Sequence, residues 1–142
     1  MRTHMLTCIL VVQKRAVRII ARLSWRESCR NAFRELKLLT VPSAYILDCI
    51  AFVLENGDST LVEDVTEKVT RRGRDLHISP RRLCLSDSHA LQQGRILFNA
   101  LPAELKAKRR DFMLLNRLLR DYLVKGVFYS LSEFKRVSGR MG

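Results

Sequence analysis

The sequence predicts an all-α protein, an irregular array of about five to six helices with a flexible central connector. Two observations support this prediction: apolar residues recur at helical spacing in several segments, and the alternation typical of strands is almost absent. The chain has 142 residues, 47% of them hydrophobic, with only 6 glycines and 3 prolines. This composition excludes collagenous, low-complexity and wholly disordered chains, and the length is sufficient to bury a core.

The first predicted helix covers about residues 6–23 and opens an N-terminal helical block, residues 1–56. On a helical wheel its apolar residues form a wide stripe, which we predict to dock on the rest of the protein. The opposite side carries a basic stripe, predicted to face solvent, made of Lys14, Arg15, Arg18 and Arg22.

Two further helices are predicted in this block. One covers residues 28–39, with Ser28 as a possible N-cap and its basic residues facing outward. The next begins at a turn containing Pro42 and ends at Gly57. Its surface is apolar nearly all round, which is typical of a central core helix or of one that needs a missing partner.

Residues 57–82 are predicted to be a largely irregular connector, because apolar residues are sparse there and turn-like sequences are frequent. The charge also changes at this point. Residues 51–69 carry five acids and one base, whereas residues 1–50 have a net charge of +6 and residues 70–142 have one of +10. Positive charge is therefore concentrated in two blocks around an acidic segment.

Residues 83–142 are predicted to form a C-terminal helical block. A helix ends at Asn99, and a short helical turn follows Pro102. A strongly amphipathic helix covers about Asp111 to Lys125 and stops at Gly126. One face carries Leu115, Leu118, Leu119, Tyr122 and Leu123, and the opposite face carries Arg117 and Arg120. The last helix starts at the capping-box sequence of residues 130–133.

The formal charge of +12 comes from 19 Arg and 7 Lys against 14 acidic residues. Arginine matches phosphate geometry well, so an acidic polymer is the expected partner. The acids include no Asp-Asp pair, and no nucleophile has a recognisable partner spacing. We therefore predict no enzymatic activity for this chain alone, no catalytic residues, no metal and no cofactor.

The four cysteines are spaced by 21, 20 and 35 residues, which makes structural zinc improbable and favours buried thiols over disulfides. The apolar run of residues 5–12 has no cleavage site after it and is too short to span a bilayer. We therefore expect an intracellular protein, nuclear or cytoplasmic, that is not secreted and has no membrane partner.

Several short sequence segments, taken in chain order, resemble segments of one protein family. Residues 13–20 (QKRAVRII), 29–30 (CR), 33–36 (FREL) and 39–40 (LT) are similar to the region beyond the polymerase palm in jockey-like non-LTR retrotransposon reverse transcriptase polyproteins. Residues 94–102 (GRILFNALP) and 128–134 (FYSLSEF) resemble later phrases of that family. The acidic sequence of residues 63–69 departs from the Asn/Tyr-rich phrase usual there.

The resemblance implies a thumb-and-tail fragment of an RNA-directed DNA polymerase. The catalytic Tyr-x-Asp-Asp turn of that family would lie upstream of Met1. The implied partners are the RNA or DNA backbone of a template-primer or element RNA, and the missing palm or another helical surface.

Candidate phosphate contacts are the basic stripe of the first helix and two further clusters. Each has a plain alternative: the stripe could be a solvated helix face, the second cluster a solvated loop, and the third cluster a nuclear-import signal. The second contains Arg71, Arg72 and Arg74, and the third contains Lys106, Lys108, Arg109 and Arg110. Phe128 and Tyr129 could stack on bases, although core packing is the favoured interpretation.

Two other classes of function stay open. A helical protein-interaction module with no nucleic-acid role would use the excess of apolar surface. A basic amphipathic membrane-surface binder would use residues 6–23, but such a peptide does not need a second folded half.

Overall fold

The computed structural model describes residues 2–56, 75–76 and 88–140, and this part of the chain contains seven helices and no β-strand. The all-α prediction is confirmed. The helices are α1 (Arg2–Ile20), α2 (Arg30–Glu35), α3 (Val41–Asn56), α4 (Ser88–Asn99), α5 (Ala103–Lys106), α6 (Phe112–Gly126) and α7 (Leu131–Ser138).

Helix α3 is the centre of the fold. Ile46, Ile50 and Val53 are almost completely buried, and the helix packs against α1, α4, α6 and α7. Of the two interpretations of its apolar surface, the central core helix is confirmed. The main core combines α3 with residues of α4, α6 and α7, so the helices before and after the predicted connector share one hydrophobic interior.

The crossing of α3 and α4 depends on Gly94. A Cβ added at this position would lie 2.5 Å from the Cys49 carbonyl oxygen and closer still to Val53 Cγ2. Only a residue without a side chain lets the two backbones approach this closely.

The C-terminal helices begin as the sequence predicts. Asp111 caps α6 by accepting a hydrogen bond from the Leu114 N–H, 3.0 Å away, and Ser130 caps α7 by accepting from the Glu133 N–H, 3.1 Å away. The buried face of α6 has the predicted leucine spacing, with Leu115, Leu119 and Leu123 each about 1% exposed. Strong local signals therefore place these two helices.

An aromatic cluster joins the start of α3 to the end of the chain. The Phe128 ring is buried between those of Phe134 and Tyr122, whose centroids are 5.3 and 6.0 Å away. Thr40 Oγ1 donates to the Phe128 carbonyl over 2.5 Å and also accepts from the Ser43 N–H as the N-cap of α3. Phe128 is thus a core residue, which confirms the interpretation favoured from the sequence.

The role of Gly126 differs from the predicted one. It is the last residue of α6, and the left-handed backbone that ends the helix belongs to Val127, with φ of 46°. A Cβ on Gly126 would collide with the Phe128 ring. The position needs glycine for space, not as a helix stop.

Helices α1 and α2 end in Schellman motifs with basic residues in the left-handed position. Arg22 has φ of 54° and Lys37 has φ of 52°. In each motif the following residue donates back across the turn, Leu23 to Arg18 O and Leu38 to Phe33 O, both over 2.9 Å. Glycine usually fills this position because a side chain raises its conformational energy.

The prediction of which face of α1 docks on the rest of the protein is wrong. The helix packs through Leu10 and Val17, which are 3% and 2% exposed, while Val12 and Ile19 at the opposite edge of the apolar stripe are 65% and 78% exposed. The docked side therefore lies at one edge of that stripe and includes part of the predicted basic side. The position of the partner explains this rotation, because Val17 packs into a small second core with Phe33 and Val127.

Candidate nucleic-acid interface

The rotation of α1 divides its basic stripe. Lys14 and Arg18 are half-buried, whereas Arg15 and Arg22 are exposed. Arg18 Nη2 donates to the Glu27 carbonyl over 3.4 Å, which holds the guanidinium against the chain that follows α1. The stripe is therefore not a single outward-facing surface.

Lys14 lies against the ring of Tyr129, with Nζ 3.8 Å from the ring centroid, and Arg30 Cζ lies 4.1 Å from the same centroid. Cations within about 6 Å of an aromatic face are attracted to it. Burial is the main cause that lowers the pKa of Lys14, and the neighbouring positive charges of Arg18 and Arg30 lower it further. Burial likewise raises the pKa of Tyr129. Because Lys14 and Arg30 both lie against this ring, it serves internal packing.

Glu133 completes this cluster. Its carboxylate accepts from Arg30 Nη1 over 2.9 Å and from the Tyr129 N–H over 3.1 Å. Burial acts to raise the pKa of Glu133, but the hydrogen bonds from Arg30 and the Tyr129 N–H, together with the Arg30 charge, overcome it and lower the pKa. The cluster thus fixes the first two helices to the last one through charge-assisted contacts.

Glu133→Gln is expected to lower the free energy of unfolding by about 1 kcal/mol at neutral pH, because it weakens two charge-assisted hydrogen bonds. A carboxylate whose pKa is lower in the folded than in the unfolded protein contributes stability at pH values above the unfolded pKa, which is near 4.5. This contribution is lost as the pH falls through the folded pKa. The stabilities of the two proteins should therefore converge in acid, as measured by thermal unfolding across pH. Glu35→Gln, at an exposed acid on α2, is the control; a constant gap between wild type and Glu133→Gln would contradict the prediction.

The other predicted site residues do not gather in one place. Lys106 forms an ion pair with Asp75, 2.5 Å away, while Lys108 and Arg110 are exposed and Arg109 is half-buried. The cluster of Arg71, Arg72 and Arg74 lies outside the described residues.

A different cationic surface is formed where α2 meets α6. A groove of about 400 Å³ is lined by four basic side chains, one carboxylate and Val124; the charged residues are Arg34, Lys37, Arg120, Lys125 and Asp121. All five are exposed. We call this the α2–α6 groove. The sequence places Arg34, Lys37 and Arg120 on outward faces of their helices, but their meeting is a tertiary feature that helical periodicity alone does not reveal.

Two arginines of α2 cap the C-terminal end of α6. Arg30 Nη1 donates to the Val127 carbonyl over 2.7 Å, and Arg34 Nε donates to the Lys125 carbonyl over 2.9 Å. These bonds satisfy carbonyls that a helix end leaves without partners and offset its partial negative charge. Arg34 also donates to Asn31 Oδ1 over 3.0 Å, so its guanidinium is held in place at the groove.

No protein-family model, curated protein or solved structure matches this chain. Among the helices of the described residues, none has both the length and the apolar character needed to cross a membrane. Cys29 and Cys49 are buried thiols and Cys8 is exposed, while Cys84 falls outside the described part of the chain.

Proposed function

We propose that this chain binds the phosphate backbone of nucleic acid, and that the α2–α6 groove is its main contact surface. The observation that carries the proposal is the meeting of four exposed cations with a single carboxylate in one concave surface. Binding by such a surface depends on neutralised phosphates and carries little sequence preference.

The groove has a natural continuation along α6. Arg117 is exposed and lies one turn before Arg120 and Asp121 on the same face. From Arg117 to Lys125 the helix rises about 12 Å, which spans roughly three nucleotides of one strand. The exposed predicted residues Arg15, Arg22, Lys108 and Arg110 add to the positive field in this proposal.

The phrases that resemble jockey-like reverse transcriptases favour a template-primer duplex or element RNA as the ligand. On this proposal the chain is the thumb and post-thumb piece of such an enzyme and has no polymerase activity by itself. An in-register Tyr-x-Asp-Asp sequence in the nucleotide sequence immediately upstream would support that origin.

Binding is expected to be strongly salt-dependent. For about four phosphate contacts, raising KCl from about 50 to about 200 mM should weaken the affinity roughly a hundredfold. The measurement is fluorescence anisotropy of a labelled RNA–DNA hybrid of about 20 base pairs, with double-stranded DNA of equal length for comparison. An interaction module that uses apolar surface would show almost no salt dependence.

Two variants connect this binding to the groove. Arg120→Glu should weaken binding about tenfold, and it should reduce the magnitude of the salt slope by about one. Lys37→Gly removes a groove cation at a left-handed position that glycine adopts freely, so binding should weaken while thermal stability is maintained or raised.

Lys135→Glu is the matched control, because it makes the same charge change as Arg120→Glu at an exposed residue of α7 that does not line the groove. If it weakens binding as much as Arg120→Glu, net charge alone is responsible and the groove is not the site. Absence of binding to either duplex in low salt would refute the proposed function itself.

A further inference from the structure

The exposed apolar side of α1 has the spacing of a helix-pairing seam. Met5, Ile9, Val12, Ala16 and Ile19 follow one another at alternating intervals of four and three residues, and all five are exposed. This interval pattern keeps side chains in line along one side of a helix and is the repeat by which two helices interlock. We call these five residues the α1 seam.

The seam is large for a surface that meets only solvent. Met5, Val12 and Ile19, which occupy equivalent positions in successive repeats, are 64%, 65% and 78% exposed. Ile20, the last residue of α1, and Trp25, in the segment that follows the helix, are 62% and 77% exposed. Contiguous apolar patches of this kind mark interaction sites on soluble proteins.

The charged residues near the seam indicate the charge of its binding partner. Arg15 is exposed on α1 and flanks the seam, and Arg22, also exposed, lies two residues past the end of the helix. Helix α1 contains no acidic residue. In paired helices the positions beside the seam face the partner's flanking positions and select opposite charge.

A second copy of this chain fits these flanks poorly. It would bring together two molecules of charge +12, and α1 offers no carboxylate to pair with Arg15 or Arg22 of the other copy. A lipid surface would use the apolar area without using the regular interval between the seam residues. An acidic helix uses both the spacing and the flanking charge.

We infer that the α1 seam is the docking site for an amphipathic helix of another protein, one that carries an apolar repeat flanked by Asp or Glu. The seam covers two heptads, about 21 Å of helix, which suits one short partner helix. This inference does not depend on nucleic-acid binding at the α2–α6 groove.

The probe is a synthetic three-heptad peptide with Leu at both seam positions of each heptad and Glu at both flanking positions. Its matched counterpart has Lys at the flanking positions. Both are labelled and titrated with the full chain in fluorescence anisotropy measurements. The Glu peptide should bind with a dissociation constant on the order of 10 μM, at least tenfold tighter than the Lys peptide.

Three variants locate the binding. Val12→Glu should weaken binding of the Glu peptide at least tenfold, and Met113→Glu, at a residue of α6 that is 79% exposed, should leave it unchanged. Arg15→Glu should shift the preference toward the Lys peptide. All three changes are at exposed positions, and equal far-UV circular dichroism confirms that the helices are kept.

Equal affinity for the two peptides would overturn the acidic chemistry of the partner. A dimer in sedimentation velocity that Val12→Glu dissociates would assign the seam to a second copy. Binding to phosphatidylserine-containing vesicles that Val12→Glu abolishes, with no binding to either peptide, would assign it to a lipid surface. Each of these results would replace the inference.

Discussion

Gly94→Ala is expected to lower the free energy of unfolding by about 3 kcal/mol, the upper part of the range for overpacking a well-packed interior. The added methyl would lie 2.5 Å from the Cys49 carbonyl oxygen. That atom belongs to the backbone of the central helix and cannot rotate away. Helices α3 and α4 would have to separate, which loosens the contact on which the main core depends.

Urea unfolding followed by circular dichroism measures this effect. Gln93→Ala is the control, since it changes the preceding residue of the same helix and gains helix propensity. It should alter stability by less than about 0.5 kcal/mol. A Gly94→Ala protein as stable as wild type would show that the helices do not cross this closely.

Phe128→Ala is expected to cost about 4 kcal/mol, in the range observed when a buried phenylalanine is truncated. The ring is 2% exposed and packs edge-on against Phe134, so its removal leaves a cavity that buried neighbours cannot fill. The change also removes the contacts that hold the segment between α6 and α7 in place.

Gly126 supplies a control for Phe128. Gly126→Ala alone should be destabilising, because the new methyl collides with the Phe128 ring. In the Phe128→Ala background the same change should cost far less, since the obstructing ring is gone. A double-mutant cycle measures this coupling, and simple additivity would contradict the packing described for the two residues.

Much of the fold could be predicted from local sequence. Asp111 and Ser130 are capping residues that act on their own first turns, and the leucines of α6 have one unambiguous buried face. The face through which α1 packs on the rest of the protein could not be predicted in this way. Its apolar residues cover a wide arc, and the edge that packs is selected by Val127, which lies 110 residues further along the chain.

The same reasoning applies to the candidate interface. The sequence identifies basic faces on α1, α2 and α6 separately, because helical periodicity orients each residue relative to its own helix. It does not reveal that Lys14 folds onto Tyr129, or that Arg34 and Lys37 meet Arg120. Those contacts are set by helix packing across 80 or more residues of chain.

Trp25, the single tryptophan, gives the protein a built-in optical reporter. Its indole is 77% exposed in the segment that follows α1, with Arg26 stacked 5.1 Å from the ring centroid. Because the indole already meets water in the folded state, its emission should change little when the core unfolds. A helix docked on the seam and reaching past the end of α1 would shield the ring and shift that emission to shorter wavelength, so intrinsic fluorescence would then monitor occupancy of the seam and not denaturation.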